Sequence, residues 1–128
     1  MSTSKPMVIN QSEQSWEGWD DAELADKSAI RWKILISGER GLVTGIAEFP
    51  VGTRLPLHHH EPPETYYIVS GKGTMEMDGH KTDIGPGSAV YIPSNAKHAV
   101  WCTGNEPLVF VFSFASDRFD QIVYHFDE

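Results

Sequence analysis

Five side chains that can bind a metal or move a proton lie within seven residues of this sequence, from His58 to Glu64. Side chains two residues apart on a β-strand share a face, so His58 and His60 can point the same way while His59 points oppositely. The Pro62-Pro63 pair turns the chain, and Glu64 then opens the next segment, from which its carboxylate can return toward both imidazoles. Imidazoles and carboxylates are common ligands of transition metals, so two imidazoles and a carboxylate that converge on one point would form a metal site.

A fourth donor has to come from a distant part of the chain, and the sequence offers His98. Buried imidazoles and carboxylates are costly without partners, so packing alone gives no good reason for the whole set. We therefore expect one divalent transition metal, with its identity open among Fe, Mn, Ni, Zn and Cu, since ligand affinity alone does not select among them. We expect His80 and His125 to be ordinary packed histidines and His59 to be a hydrogen-bonding neighbour of the site.

Short segments rich in β-branched and aromatic residues, separated by Gly and Pro, must position these donors. The clearest hairpin has Met75–Met77 and His80–Thr82 flanking Asp78-Gly79, a pair that favours a type I′ turn. Helical signal is almost absent, apart from one short turn expected near Trp16, Trp19 and Leu24. Many short strands at regular spacing predict an all-β barrel or sandwich.

Length and composition limit the possible domain organisation, partners and location of the protein. At 128 residues the chain has the size of one domain, for which we predict an N-terminal arm (1–28) packing on a body (29–128). The formal net charge of −8 argues against nucleic acid or an anionic membrane as a partner, because both reward clustered Lys and Arg. A single cysteine, Cys102, and an N-terminus without an apolar core predict a cytoplasmic protein.

Two spacings in this sequence are Gly52-x5-His58-x-His60-x3-Glu64-x6-Gly71 and Gly87-x5-Pro93-x4-His98. Together they resemble the two signature motifs of the cupin family, over about residues 40–115. The second motif departs twice, with Asn95 where the family usually has Gly and Cys102 where it often has Asn. The resemblance implies a double-stranded β-helix, or jelly-roll, barrel whose interior metal is bound by four residues: His58, His60, Glu64 and His98. Four protein ligands on an octahedral ion would leave two adjacent positions, which suits catalysis.

A wider stretch, from Ile30 to Phe126, is similar to the small cupin dimethylsulfoniopropionate lyases of marine bacteria. That resemblance rests on the segment 31–36, on Tyr66 two residues beyond Glu64, on Tyr91, and on the tail 116–124. It implies β-elimination to dimethyl sulfide and acrylate, with Tyr66 as general base and with Tyr124 and Tyr91 lining the pocket.

A sulfonium cation cannot donate hydrogen bonds, so aromatic faces suit it. Trp32 and Trp101 are therefore substrate-binding candidates, with core filling as the alternative for each. By strand alternation Lys33 faces opposite to Trp32, so at most one of the two enters the pocket.

Two other functions are also compatible with the sequence. The same ligands suit an Fe(II)-dependent dioxygenase, and a non-catalytic small-molecule-binding cupin is a further alternative. We expect a small-molecule substrate and, from apolar stretches such as Val109–Phe114, a homodimer.

Overall fold

The computed structural model describes residues 5–128, apart from the side chains of Asp26 and Lys27, and forms two five-stranded antiparallel sheets. The strands described are β1 Arg31–Ile36, β2 Val43–Phe49, β3 Arg54–His59, β4 Glu64–Ser70, β5 Gly73–Met77, β6 His80–Ile84, β7 Ala89–Ile92, β8 His98–Cys102, β9 Leu108–Phe114 and β10 His125–Phe126. The first sheet has the order β1-β2-β9-β4-β7 and the second the order β10-β3-β8-β5-β6. The all-β prediction is confirmed.

Strict alternation along the central strands separates an inner face from an outer face. In β9 the residues Leu108, Phe110, Phe112 and Phe114 are buried, and the residues between them are half-buried. Strand β2 alternates in the same way, from Val43 to Phe49. Each fully buried side chain of this size stabilises the fold by about 2 kcal/mol through removal of apolar surface from water. The core therefore lies between the sheets, where the site must also lie.

The turns follow the sequence signals closely. Asp78 and Gly79 have φ values of 50° and 81° and join β5 to β6, which confirms the predicted hairpin. Asn95, which replaces the usual glycine of the second motif, has φ 61°, a conformation that Asn tolerates well. Gly71 has φ 81°, and a Cβ there would lie 2.2 Å from the carbonyl oxygen of Pro107, so only glycine fits.

The N-terminal segment contacts the first sheet at its edge. A short 3₁₀ turn spans Gln11–Glu13, and a backbone bridge joins Glu17 to Trp32 of β1. The predicted helical turn is the helix α1, Ala22–Lys27, which Asp21 caps by accepting a hydrogen bond from the Leu24 amide. Residues 1–4 of the predicted arm lie outside the described residues, and the division of the chain at residue 28 stays a prediction.

The last segment of the chain returns to the second sheet. After a 3₁₀ turn at Phe119–Gln121, the strand β10 pairs with β3, with His125 opposite His59 and Phe126 opposite His58. This strand is short and comprises only His125 and Phe126. No helix among the described residues is long and apolar enough to cross a membrane.

Candidate metal centre and cavity

Three histidines lie together inside the barrel on neighbouring strands of the second sheet. His58 on β3 is directly opposite His98 on β8, and His60 follows the end of β3 by one residue. All three are at most 1% exposed, and one ligand nitrogen of each lies within 4.8 Å of the other two. A group of imidazoles this close and this buried can hold a metal ion.

Each of these imidazoles is oriented by a backbone carbonyl two residues away. Nδ1 of His58 lies 2.7 Å from the carbonyl oxygen of Pro56, and Nδ1 of His60 lies 2.9 Å from that of Pro62. Nδ1 of His98 lies 2.8 Å from the carbonyl oxygen of Ala96. When Nδ1 donates, Nε2 carries the free lone pair that a metal requires. Among the described residues, Nε2 of His58 and of His98 is buried and has no hydrogen-bond partner.

Glu64 comes from the opposite sheet. It opens β4, where burial alternates so that Glu64, Tyr66 and Ile68 face inward. Its Oε1 lies 3.1 Å from Nε2 of His60 and 3.9 Å from Nε2 of His98. The second sheet therefore supplies the imidazoles and the first sheet supplies the carboxylate.

Burial shifts the pKa values of these groups toward their uncharged forms, lowering those of two histidines and raising that of Glu64. Desolvation is the largest effect on both histidines, lowering the pKa of His58 to about 2 and that of His98 to about 4. Both rings are neutral at pH 7 and can act as ligands. Burial raises the pKa of Glu64 to about 7, and the neighbouring His60 opposes this rise. Since a nearby cation stabilises the carboxylate, Glu64 also fits a metal site.

These observations satisfy a test of fit for a divalent metal. If Nδ1 of His60 donates to Pro62, its Nε2 can only accept, so its contact with Glu64 is a hydrogen bond only when the pair holds an additional proton. A cation between these atoms would remove that requirement and would give the orphaned Nε2 atoms of His58 and His98 a partner. The donor set of imidazoles and a carboxylate suits first-row transition metals, which agrees with the ligand types expected from the sequence.

Two tyrosines lie beside these donors. The Tyr66 side chain is 3% exposed and stacks on Phe110, with ring centroids 4.1 Å apart. Tyr124 stacks on the ring of His58 at 5.2 Å and lies 5.3 Å from that of His60. Desolvation is the main cause that raises the pKa of both hydroxyls well above the ordinary value, and the charge of Glu64 adds to it. Without a cation nearby, both phenols are protonated at neutral pH.

A cavity of about 620 Å³ occupies the barrel interior and reaches Glu64, Tyr66 and Tyr124. This volume is typical of small-molecule sites. Most lining side chains are apolar, including the buried Phe49, Phe110 and Phe112. The lining residues that are exposed are Glu17, Gly18, Asp20 and Asp120, so the opening to solvent lies there.

Trp32 lines this cavity, whereas Lys33 points outward and places its Nζ 4.8 Å from the Trp16 ring centroid, as alternation along β1 predicts. His59 also points outward, and its Nδ1 lies 2.9 Å from Oδ2 of Asp127.

Two of the predicted pocket residues are elsewhere. Tyr91 is 63% exposed on the outer face of β7, because it pairs with Thr65 while its neighbour Ile92 pairs with Glu64 on the inner face. Trp101 faces outward from β8 because Val100 and Cys102 face inward, and the Lys81 Nζ lies 5.3 Å from its ring centroid. The expectation that Tyr91 and Trp101 line the pocket is therefore corrected.

Sequence reasoning missed the residues around the opening. Trp19 lines the cavity and packs edge-to-face on Trp32, with centroids 4.9 Å apart. Glu17, Asp20 and Asp120 also line the cavity, and their spacing in the sequence contains no motif. The acidic segment around Trp19 was visible in the sequence, but the bridge between Glu17 and Trp32 that brings it to the cavity was not.

Comparison with known proteins agrees with this architecture. The chain is 43% identical over 101 residues to the dimethylsulfoniopropionate lyase DddW of Ruegeria pomeroyi, covering 76% of this chain and 66% of that relative, just under two thirds of its length. The crystal structure of the lyase DddQ from Ruegeria pomeroyi superposes with a TM-score of 0.71 at 24% identity, over 88% of this chain and 61% of that chain. That of KdgF from Halomonas sp. gives 0.73 at 24% identity, over 91% and 98%. At these identities, the two structures support the fold alone.

Residues 45–114, more than half of the chain, match the cupin domain family. The matched region runs from β2 to the end of β9 and contains His58, His60, Glu64 and His98. Two facing antiparallel sheets with the histidines between them are what the predicted jelly-roll barrel requires. The chain therefore belongs to the cupin family.

Proposed function

We propose that this protein is a metal-dependent lyase that cleaves dimethylsulfoniopropionate, or a similar small carboxylate with a β-leaving group, into dimethyl sulfide and acrylate. The observation that carries the proposal is the inward pair Glu64 and Tyr66 on β4, which lines an apolar cavity beside three buried histidines. The likeness to DddW over 76% of the chain supports the same reaction.

His58, His60, His98 and Glu64 would hold the metal, which we propose to be Fe, Mn, Ni or Zn. A divalent cation held by these residues would act as a Lewis acid on a substrate carboxylate and would lower the pKa of a nearby phenol. Tyr124 packs against two of the imidazoles, and we propose that it closes the cavity over them and contacts the substrate. Trp32 forms part of the cavity wall farther out.

The elimination assigns one proton transfer to Tyr66. Its hydroxyl oxygen, as phenolate, takes the proton from the carbon next to the substrate carboxylate. The electron pair of that C–H bond forms the carbon–carbon double bond, and the C–S bond breaks with its pair leaving on sulfur as neutral dimethyl sulfide. Acrylate remains, and Tyr66 returns its proton to solvent before the next cycle. The burial of Tyr66 keeps competing water away from the carbon that loses its proton.

Turnover of the purified protein tests the reaction directly. The protein is loaded separately with Mn, Ni, Fe or Zn and incubated with dimethylsulfoniopropionate, and dimethyl sulfide is measured by headspace gas chromatography. Absence of product with every metal would overturn the lyase proposal. Oxygen uptake that depends on Fe(II) and on a small aromatic or thiol substrate would instead support the dioxygenase alternative. A tightly bound ligand without turnover would support the non-catalytic one.

The role of Tyr66 is tested by removing one oxygen atom. We expect Tyr66→Phe to keep its metal and to lose turnover by about 10²–10⁴-fold, the range for a general base. Tyr91→Phe is the matched control, because Tyr91 lies on the outer face of β7, next to Ile92, which faces inward opposite Glu64. Turnover that falls in Tyr124→Phe but not in Tyr66→Phe would move the base to Tyr124.

We also propose that the protein forms a homodimer through the outer face of the first sheet. Tyr67 and Val69 on β4 are 55% and 49% exposed. Tyr67 lies opposite the half-buried Val111 of β9, and Val109 is half-buried on the same face. Exposed and half-buried apolar side chains grouped on one face are typical of an interaction site. Light scattering that gives the mass of one chain, about 14.3 kDa, would contradict the proposal.

A further inference from the structure

We propose that the mouth of the cavity, formed by Glu17, Trp19, Asp20 and Asp120, binds the cationic end of a zwitterionic substrate whose carboxylate lies at the metal end. The substrate class is a carboxylate bearing a sulfonium or a quaternary ammonium group. This inference rests on the proposed function, because it concerns the same cavity and the same orientation of substrate. It adds residues that recognise the positive charge of the substrate, and none of these residues belongs to the metal centre.

The charged side chains described in the cavity lining are all carboxylates. Four of them line it, and no Lys or Arg does among the side chains that the structure describes. Glu64 belongs to the metal end, whereas Glu17, Asp20 and Asp120 are exposed at the opening. A concave, low-dielectric site lined by one sign of charge concentrates ligands of the opposite sign. A ligand with only negative charge would be disfavoured at this entrance.

The three carboxylates of the mouth differ in how far they are neutralised by neighbours. Asp120 pairs with Arg118 through contacts of 3.1 and 3.2 Å, so part of its charge is already compensated. In the part of the chain that the structure describes, no ion pair involves Glu17 or Asp20. We therefore expect Glu17 and Asp20 to contribute more to attraction of a cation than Asp120.

Aromatic faces provide the second part of the recognition. Trp19 and Trp32 meet at 67° with centroids 4.9 Å apart, and Tyr124 lies 6.1 Å from Trp19. An onium group has no N–H or S–H to donate, so it is bound by charge and by ring faces rather than by hydrogen bonds. Carboxylates beside two indoles match that requirement, whereas a primary amine would call for directed acceptors.

An unpartnered hydroxyl inside the cavity indicates that its ligand is polar. Tyr66 is 97% buried, since its exposure is 3%, and no described residue hydrogen-bonds its hydroxyl. A hydroxyl without a partner costs free energy when a purely hydrocarbon ligand covers it, so such a ligand would leave the cavity poorly satisfied. A small zwitterion brings a carboxylate acceptor into it.

The two ends of the cavity also fix the orientation of such a ligand. A cation at the metal end repels an onium group and attracts a carboxylate, whereas the carboxylates of the mouth do the reverse. Binding in the opposite sense would place like charges together at both ends. The mouth therefore helps to present the carbon next to the carboxylate to Tyr66.

A pair of non-reacting ligands isolates the contribution of the positive charge. 3-(Trimethylammonio)propanoate and 4,4-dimethylpentanoate have the same shape and differ only in a nitrogen cation in place of a carbon. Their dissociation constants for the Zn-loaded protein are measured by isothermal titration calorimetry. We expect the ammonium compound to bind at least ~10-fold more tightly to the wild type, as expected when a desolvated cation–π contact adds to charge attraction.

The test variant combines Glu17→Gln, Asp20→Asn and Asp120→Asn. We expect it to lose most of this preference, because its affinity for the zwitterion falls while repulsion of the anionic all-carbon compound is relieved. The matched control combines Glu76→Gln, Asp83→Asn and Glu106→Gln, which removes the same net charge from residues that do not line the cavity. We expect the control to keep the preference. Circular dichroism confirms that each variant is folded.

Equal binding of the two ligands by the wild type, or equal loss of preference in both variants, would overturn the inference. The outcome is separate from that of the proposed lyase reaction. Preferential binding of the ammonium compound without any dimethyl sulfide production would leave the cation site standing and refute the lyase. Dimethyl sulfide production without preferential binding of the ammonium compound would support the lyase and refute the cation site.

Discussion

At the inner end of the cavity every donor lies on a strand or within one residue of one, whereas the mouth is bordered by loops. His58, His98 and Glu64 are held by the ladders of β3, β8 and β4, and they are at most 4% exposed. The mouth depends on the segments 17–20 and 119–124. These contact the barrel through one backbone bridge, through the Phe119 amide, which donates to Oγ of Ser37 at 3.0 Å, and through aromatic rings.

This difference separates two tasks. Ligands on paired strands are pre-organised, because both the ladder and the carbonyl bonds of the imidazoles fix their directions. Loops held by ring edges can change in sequence without disturbing the strands. We infer that the inner end determines which chemistry is available and that the mouth determines which ligand reaches it.

The largest expected effect is at the inner end and compares two adjacent histidines. We expect His58→Gln to weaken metal binding by more than ~10²-fold, since even loss of an outer hydrogen-bond partner of a ligand costs 10–100-fold. His59→Gln is the control, because His59 points outward to Asp127. Metal content is measured by elemental analysis and affinity by competition with a chelator. Equal losses in both variants would contradict the assignment of the inner face.

The next effect concerns the stability of the metal-free protein, which depends on protons at the same end. The folded-state pKa values of His58 and His98, about 2 and about 4, lie below the ordinary 6.5, so the unfolded chain binds protons that the folded chain does not. Their contribution to stability is full above pH 6.5 and is lost as the pH falls toward 4. Glu64 acts oppositely, because its folded-state pKa of about 7 favours the protonated folded form below pH 7.

As the pH falls, the two histidines destabilise the fold more than Glu64 stabilises it. The free energy of unfolding therefore decreases by about 3 kcal/mol between pH 6.5 and pH 4. Urea unfolding of the chelator-treated protein at the two pH values measures it. Glu64→Gln should make the loss larger, because the opposing group is removed, and His98→Asn should make it smaller. A stability that is the same at both pH values, in all three proteins, would contradict the arrangement of buried neutral imidazoles.

The same division explains what the sequence could predict. His58, His60 and Glu64 lie within seven residues, and strand alternation alone assigns their faces. The hairpin at Asp78-Gly79 and the left-handed Asn95 follow from local turn chemistry. These are short-range features, which one sequence carries in full.

The error at Trp101 was an error of alternation and was avoidable, whereas the face of Tyr91 depends on how β7 pairs with β4. If His98 faces inward, then Val100 and Cys102 also do, and Trp101 must face outward. The mouth was a different case. Trp19 and Tyr124 are more than 100 positions apart in the sequence and have ring centroids 6.1 Å apart, a contact that depends on the whole topology. No local pattern encodes it.

The smallest effect tests whether the segment that carries Tyr124 is coupled to the inner end. Glu128 accepts from Nη2 of Arg54 at 2.6 Å and from the Leu57 amide at 2.8 Å, and the Asp127 amide donates to the Leu57 carbonyl. Glu128→Gln keeps an acceptor for Leu57 and removes the charge pair. Because both side chains of that pair are more than one third exposed, we expect a loss below about 1 kcal/mol.

This loss should appear as faster hydrogen exchange at the Asp127 amide, by less than ~10-fold, with metal affinity unchanged. Glu106→Gln serves as the control, since Glu106 is exposed on another turn. A metal affinity that falls in Glu128→Gln and not in Glu106→Gln would mean that the segment 124–128 helps to hold His58 in place. Because Phe126 and His125 pair directly with His58 and His59, such a result would extend the pre-organised region of the barrel to β10.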